Sequence, residues 1–325
     1  MTFSGLVIKN TGSWYTVRTD DGRLYEAKAR GRLRLKGLRT TNPIAIGDRV
    51  EFTAGEDAAL ITAVGERRNY IIRRATNLSK QSHILAANVD QCLLIVTLRQ
   101  PETSTTFIDR FLANAEAYRI PVVIVCNKTD LLTDKEGKEQ LSVLTRLYEG
   151  IGYQVLPTSA QTGAGMEGLR ALLGGKVSLL SGHSGVGKST LINFLFPALH
   201  LKTAEVSEAY QTGKHTTTFS QMIPLPPADH DTEAAEGSAT ALGYIIDTPG
   251  IKGFGTFDMD PREVGHYFRE FFALSWRCRF HNCTHTHEPG CAIREALEKG
   301  TIAPSRYNSY LSMLEDKEED RYRPG

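Results

Sequence analysis

The apolar positions along this chain keep three different rhythms. Over residues 1–66 they alternate with polar ones in short runs: Gly5–Lys9, Trp14–Thr19, Leu24–Lys28, Arg49–Thr53 and Ala59–Val64. Turn residues such as Asp20-Asp21-Gly22 and Ile46-Gly47-Asp48 separate them. A period of two with Gly and Asp at the joins predicts half-buried strands, and a succession of short ones predicts a small barrel of the OB type. From 83 to 253 the runs become nearly continuous and β-branched: Gln91–Thr97, Val122–Cys126, Tyr153–Leu156, Val177–Leu180 and Tyr244–Ile246. Such runs suit parallel strands buried on both faces. Phe107–Tyr118, Lys138–Tyr148 and Met166–Leu173 lie between them with helical spacing. Strands alternating with helices predict a three-layer α/β domain on a mostly parallel sheet. Residues 254–325 show helical patterns, Pro261–Ala273, Ala292–Lys299 and Pro304–Leu314, around a Cys/His-rich stretch. The expected fold class is thus multi-domain: an OB-fold barrel at 1–66, a linker at 67–82, an α/β domain at 83–253 and a mainly helical unit at 254–325.

Chemistry gathers at the ends of the α/β strands. The Val177–Leu180 run opens into Gly182-His183-Ser184-Gly185-Val186-Gly187-Lys188-Ser189 and then a helical run from Thr190. Gly, four residues, Gly-Lys-Ser between strand and helix is the phosphate-binding loop pattern. Its glycines let backbone N–H groups approach phosphate, the helix N-terminus adds positive potential, Lys188 reaches the β/γ-phosphates and Ser189 can ligate Mg²⁺. The Val122–Cys126 strand ends in Asn127-Lys128-Thr129-Asp130, where a carboxylate at Asp130 suits the N–H edge of guanine. The next strand ends in Thr158-Ser159-Ala160, whose backbone suits guanine O6. Either motif alone is weak, because Asn, Asp and Ser are ordinary turn residues; together on consecutive strand ends they point to GTP and weigh against a small-molecule kinase. In most GTPases the phosphate loop comes first. Here it comes after both base-reading motifs, so the domain is expected to be circularly permuted, which closely spaced surface termini permit.

Further along, His215-Thr216-Thr217-Thr218 precedes a strand-like run, Phe219–Leu225, and Asp247-Thr248-Pro249-Gly250 follows the Tyr244–Ile246 strand. Thr217 is the expected switch threonine on Mg²⁺, with Thr216 and Thr218 as neighbours that fit the same role. Asp247 and Gly250 are expected to face Mg²⁺ and the γ-phosphate. Ile251 occupies the position where Ras-like enzymes carry a water-orienting glutamine. Isoleucine has no group for that task, so His215 is the expected catalytic residue. The polar stretch Ala228–Ala241 is predicted to be a loop between two strands.

Five cysteines divide into two groups. Cys92 and Cys126 fall inside apolar strand runs and are expected to be buried thiols. Cys278, Cys283, His285 and Cys291 form a closed set of three thiolates and one imidazole, the donor set of structural zinc. His281 and His287 are alternative nitrogen donors. A small helical unit with little core gains from such a staple.

Charge adds little globally, since 38 basic residues face 37 acidic ones. Locally, Arg30, Arg32, Arg34 and Lys36 alternate, which would place them on one face of an extended segment. That suits a nucleic-acid backbone, or equally a solvated edge strand. Met1-Thr2-Phe3-Ser4 lacks the basic start and apolar core of a secretory signal, and no apolar run has the roughly 20 residues that cross a bilayer. A cytoplasmic monomer without membrane contact is expected.

Taken in order, NKTD, TSA, GHSGVGKS, HTTT, DTPG and CRFHNCTHTHEPGC, with Asn77–Gln81 and Ala86–Gln91 at the entry to the α/β domain, closely resemble the ribosome small subunit-dependent GTPase A family. The resemblance spans nearly the whole chain. It implies a bacterial GTP hydrolase acting late in small-subunit assembly. Such a protein binds rRNA near the decoding region, is stimulated by the small subunit, promotes release of another assembly factor and departs after hydrolysis to GDP. The family also carries a switch I histidine and a hydrophobic residue in place of glutamine, matching His215 and Ile251. The Ala228–Ala241 stretch is longer than the family pattern but interrupts no motif. The competing reading is a GTPase switch controlled by a protein partner, with a barrel that does not touch RNA.

Overall fold

The computed structural model describes residues 1–29, 44–55, 57–74, 82–201, 221–226, 242–247 and 259–322. The basic segment Arg30–Lys36, the His215–Thr218 run, the Ala228–Ala241 stretch and Gly250–Ile251 lie outside the described residues.

The alternating N-terminal runs form strands β1 (Thr2–Asn10), β2 (Trp14–Thr19), β3 (Leu24–Ala29), β4 (Arg49–Thr53) and β5 (Ala59–Val64). β1 pairs with β2 along one edge and with β4 along the other, and β3 pairs in parallel with β5. The order therefore closes as β1-β2-β3-β5-β4-β1, an OB-type barrel. The β1–β2 register slips between Val7 and Lys9, a bulge that bends β1 so that one strand serves both neighbours. Val7, Tyr15, Val17, Ala27, Phe52 and Ile61 fill the interior.

The stretch read as a linker contains paired structure. β6 (Tyr70–Arg74) runs antiparallel to β7 (Ser82–Ala87). The reason is apolar content: Ile71 is fully buried and joins Ile46 and Ala86 in the core under the α/β sheet, so Tyr70-Ile71-Ile72 cannot lie in solvent as a tether.

The α/β domain comprises β8 (Gln91–Val96), α1 (Thr105–Ala117), β9 (Val122–Cys126), α2 (Lys135–Gly150), β10 (Gln154–Pro157), α3 (Met166–Leu173), β11 (Val177–Ser181), α4 (Lys188–Leu195), β12 (Gln221–Leu225) and β13 (Gly243–Asp247). Its strand order is β10-β9-β8-β11-β13-β12, parallel except for β12 against β13. Successive residues of the central strands serve opposite cores. Cys92, Leu94 and Val96 face the α1/α2 side, while Leu93 and Ile95 face the α3/α4 side. The continuous apolar runs follow from burial on both faces. Burial also pushes the Cys126 thiol up to about 12 and Cys92 well above its ordinary value, so both are inert. Lys9 of β1 pairs with Gln221 of β12, so the barrel wall continues the edge of the α/β sheet.

The C-terminal unit holds a 3₁₀ turn at Val264–Tyr267, α5 (Arg269–Ser275), α6 (Ala292–Glu298) and α7 (Pro304–Tyr322). Phe268, Phe271, Ile293 and Tyr310 pack together with Ala113 of α1. A buried charge network fastens the unit to the α/β domain. Arg306 is 1% exposed and donates to Asp109 Oδ1 at 2.8 Å and to Glu270 Oε1 at 2.6 Å. Asp109 also accepts hydrogen bonds from Tyr148 of α2 (2.8 Å) and Ser309 of α7 (2.7 Å). Burial raises the Asp109 pKa, and the Arg306 charge pulls against that rise.

Candidate nucleotide site and metal centre

Because β8, β9, β10 and β11 are parallel, the loops that leave them all emerge at one edge of the sheet, where α/β proteins hold ligands. The phosphate-binding loop connects β11 to α4. Two of its glycines are required by contact. At Gly182 (φ +140°) a side-chain carbon would come within 2.2 Å of the Ile95 carbonyl. At Gly187 (φ +92°) it would lie 2.5 Å from Asn127 Nδ2. Both positions also have the left-handed backbone that glycine alone enters at no cost. Lys188 Nζ donates to the carbonyls of Gly182 and His183, each at 2.7 Å, so its ammonium lies across the loop it follows.

Asn127 Nδ2 donates to the Val186 carbonyl at 2.9 Å, and its Oδ1 accepts from Thr158 Oγ1 at 3.3 Å. One buried side chain thus ties the loops after β9, β10 and β11 together. Thr129 N–H and Oγ1 both donate to the Thr158 carbonyl. Ser159 Oγ donates to Asp130 Oδ1 at 2.5 Å, holding that carboxylate at the β10 loop. Lys128 sits at φ +60° and its Nζ reaches the Gln100 carbonyl at 2.5 Å. Ala160 follows Ser159 in the same loop, Ser184 lies in the phosphate loop, and Ser189 and Thr190 stand in the first turn of α4. Asp247 closes β13 beside the phosphate-loop strand. His215, Thr217 and Gly250 lie outside the described residues.

Three contributors escaped the sequence reading. The Phe107 ring stacks 3.8 Å from the His183 ring, the 97–104 loop supports Lys128 through Gln100, and Ser181 Oγ is buried beside the phosphate loop without a hydrogen-bond partner among the described residues. None belongs to a motif. Phe107 and Gln100 reach the site from segments distant in sequence, which leaves no local signal, and Ser181, although it directly precedes Gly182, is marked only by its burial.

In the C-terminal unit the donor atoms of Cys278, Cys283, His285 and Cys291 all lie within 4.8 Å of one another. His285 Nδ1 is 3.7 Å from Cys278 Sγ and 3.5 Å from Cys291 Sγ, so Nδ1 is the nitrogen turned toward the thiols. Burial depresses the His285 pKa and favours the neutral imidazole, the form that ligates. Tyr307 donates to its carbonyl at 2.7 Å, fixing its left-handed backbone (φ +60°). Burial alone would raise Glu288, but the Thr284 hydroxyl and the N–H groups of Thr284 and His287 overcome that and hold it at about 2. That carboxylate staples the loop between the ligands. His281 and His287 are exposed and outside the cluster. Three sulfurs and one nitrogen at this separation can hold a metal ion.

The strand order, a Gly-x4-Gly-Lys-Ser loop on a central strand, and base-reading loops on its neighbours define a P-loop GTPase domain whose chain order is circularly permuted. A family model described as RsgA GTPase matches residues 64–257, and one described as RsgA N-terminal domain matches residues 4–60. The chain belongs to the RsgA GTPase family, and it is a GTPase. It is 59% identical to the small ribosomal subunit biogenesis GTPase RsgA of Bacteroides fragilis over 98% of each chain. It is 57% identical to the protein of that name from Porphyromonas gingivalis, over 98% of this chain and 99% of the relative. Among solved structures it resembles YjeQ from Thermotoga maritima (TM-score 0.75, 36% identity, 97% and 98% of the two chains). It also resembles YloQ, a circularly permuted GTPase (TM-score 0.72, 25% identity, 100% and 98%).

Proposed function

We propose that this protein is a GTP-hydrolysing assembly factor of the small ribosomal subunit. The observation that carries the reading is the convergence of the Asn127–Asp130, Ser159–Ala160 and Gly182–Thr190 loops at one sheet edge, in a chain whose relatives are named for small-subunit biogenesis. Asp130 and Asn127 read guanine, with Lys128 and Thr129 shaping that loop and Ser159 and Ala160 completing it. Gly182, His183, Ser184, Gly185, Val186, Gly187 and Lys188 cradle the phosphates. Ser189 and Thr217 would hold Mg²⁺, which neutralises charge on the β- and γ-phosphate oxygens when bound. Asp247 and Gly250 respond to the γ-phosphate. Ile251 supplies no group for orienting water, so His215 takes that part. We read residues 1–66 as the barrel, 83–253 as the GTPase domain and 254–325 as the C-terminal unit.

RNA contact is supported by two described surfaces. Lys28 Nζ stands 4.1 Å over the Trp14 ring on the barrel. On the C-terminal unit Phe272, Trp276 and Phe280 are exposed (62%, 80% and 40%). Arg277 and Arg279 lie among them, with no acidic residue from 271 to 287. Exposed rings interleaved with Arg suit stacking on unpaired bases beside a phosphate backbone. The Cys278, Cys283, His285, Cys291 cluster would hold one structural Zn²⁺, for which three thiolates and a neutral imidazole are the usual donors. Among the described residues no helix is long and apolar enough to cross a membrane. The proposal places the protein in the cytoplasm, as a monomer, with GTP or GDP bound.

The test is GTP turnover with and without small ribosomal subunits, large subunits serving as control. Selective stimulation by small subunits is expected. His215→Ala should lower the stimulated rate by about 10²–10⁴-fold with GTP affinity retained. Equal rates with either subunit would overturn the assembly reading, and an unchanged His215→Ala rate would remove His215 from the mechanism.

A further inference from the structure

A groove of about 930 Å³ lies away from the nucleotide loops, between the start of α1, the outer face of α2 and the first turn of α7. Its floor is aliphatic. Leu144 is buried, Leu98 and Leu147 are half-buried, and Val143 is 50% exposed. A single exposed valine is ordinary on a protein surface; one that continues a concave apolar floor is not.

The rim has the opposite chemistry. Glu102, Glu136 and Glu139 stand exposed around the floor, against one basic residue, Lys135. Glu139 meets Arg146 at 3.4 Å, with both side chains about two-thirds exposed (67% and 70%). Surface pairs of that kind contribute little and leave the carboxylate available to a partner. An acidic rim repels a phosphate backbone, and an apolar floor gives nothing to a purely polar ligand. The combination fits a peptide that carries aliphatic side chains on one face and basic ones beside them.

We propose that this groove docks a basic, amphipathic segment of a partner protein. Apolar anchors of the segment seat on Leu98, Val143, Leu144 and Leu147, and its Lys or Arg residues pair with Glu102, Glu136 and Glu139. The position ties docking to the nucleotide site. The 97–104 loop that forms one wall accepts Lys128 Nζ at the Gln100 carbonyl, and Pro101 packs beside Gly185 of the phosphate loop. The docked segment therefore rests on the back of the loop that supports the guanine-reading lysine.

The probe is a fluorescein-labelled peptide of leucine and lysine, roughly 14 residues long with leucines at helical spacing, titrated by anisotropy against the full GDP-bound chain. A shuffled peptide of the same composition is the control. Binding with Kd on the order of 10 µM is expected, weakened at least about tenfold by shuffling, by Val143→Asp and by Glu136→Lys with Glu139→Lys. Retained GDP affinity in both variants, which alter only exposed side chains, shows that they fold. Equal binding of the shuffled peptide, or undiminished binding by Val143→Asp, would reduce the contact to charge attraction and overturn the proposal. Direct binding of a fluorescein-labelled single-stranded RNA oligonucleotide that Val143→Asp abolishes would overturn it too, assigning the face to a polyanion.

Discussion

The GTPase domain is joined to a neighbour at each end, and the two joints are built differently. The barrel joint is made largely of backbone. Ala87 N–H donates to the Ile46 carbonyl, Asn88 Nδ2 donates to the Gly47 carbonyl, and Lys9 of β1 pairs with Gln221 of β12. Asn69 donates to the Val89 carbonyl and accepts from its N–H, and one buried pair, Arg67–Asp48, closes the corner at 2.6 and 2.7 Å. The C-terminal joint is made of side chains. Asp109, Tyr148, Glu270, Arg306 and Ser309 come from four helices and meet in one dry network. The backbone joint draws on residues 44–48, 67–74 and 82–90 and on the Lys9–Gln221 pair, and spreads its interactions over many weak bonds. The side-chain joint also uses Arg269, on Glu116 and the Gly152 carbonyl, and Arg110, on Ser312, but its buried charge centres on the Arg306 guanidinium. Breaking a dispersed joint at one point should cost less than removing the centre of a concentrated one.

The sharpest way to break that contrast is Arg306→Met. It leaves Asp109 and part of Glu270 buried without their cation, and loss of one partner from a buried pair costs about 3–5 kcal/mol. For a chain of this size that lowers Tm by roughly 2–4 °C per kcal/mol, and calorimetry should show the C-terminal unit separating from the rest. A Tm within about a degree of the parent would show that packing alone, not the charge network, fastens the unit. Asp48→Ala should cost less, about 2–3 kcal/mol, because Arg67 is 8% exposed and has a short path to water while the backbone bonds of the joint persist. If denaturant titration ranked Asp48→Ala above Arg306→Met, the barrel joint would be the concentrated one. Gly47→Ala is the smallest change. Its φ of +86° and a 2.0 Å approach to the Ala87 carbonyl force a local shift worth about 1–3 kcal/mol. Hydrogen exchange should localise that loss to β6, β7 and the start of β1, and protection left intact there would mean that the joint does not depend on the close approach.

The joints also bear on how the nucleotide site is linked to the C-terminal unit. β13 carries Asp247 at its end and precedes the C-terminal unit in chain order. That unit presents the Phe272, Trp276 and Phe280 surface and is clamped to α1, the helix whose Phe107 ring lies against that of His183. Any displacement of the C-terminal unit from α1 would have to break the Arg306 network.

Much of this was legible from sequence alone, for reasons particular to each part. The phosphate loop, the Asn127–Asp130 loop and the Cys/His set were readable because their chemistry depends on residues close together in the chain, and glycine, lysine, thiolate and carboxylate are not interchangeable there. The barrel strands and the α/β alternation were readable because burial on one face or two leaves its own period. The permutation was readable from motif order. What the sequence left open required distant segments to meet. Tyr70–Arg74 looked like a tether because its partner, Ser82–Ala87, lies further along the chain and its burial depends on Ile46 of the barrel. Arg306, at the head of an amphipathic helix, had nothing local to mark it as the centre of an interdomain network. Among Cys278, Cys283, His285 and Cys291 the spacing named the ligand set, but three histidines stood near the cysteines. Tertiary packing distinguishes them by burying His285, turning its Nδ1 to two thiols and leaving His281 and His287 exposed and outside the cluster. Local chemistry is written in the chain because it acts over a few bonds; the choice among locally equivalent residues is made by burial, which belongs to the whole fold.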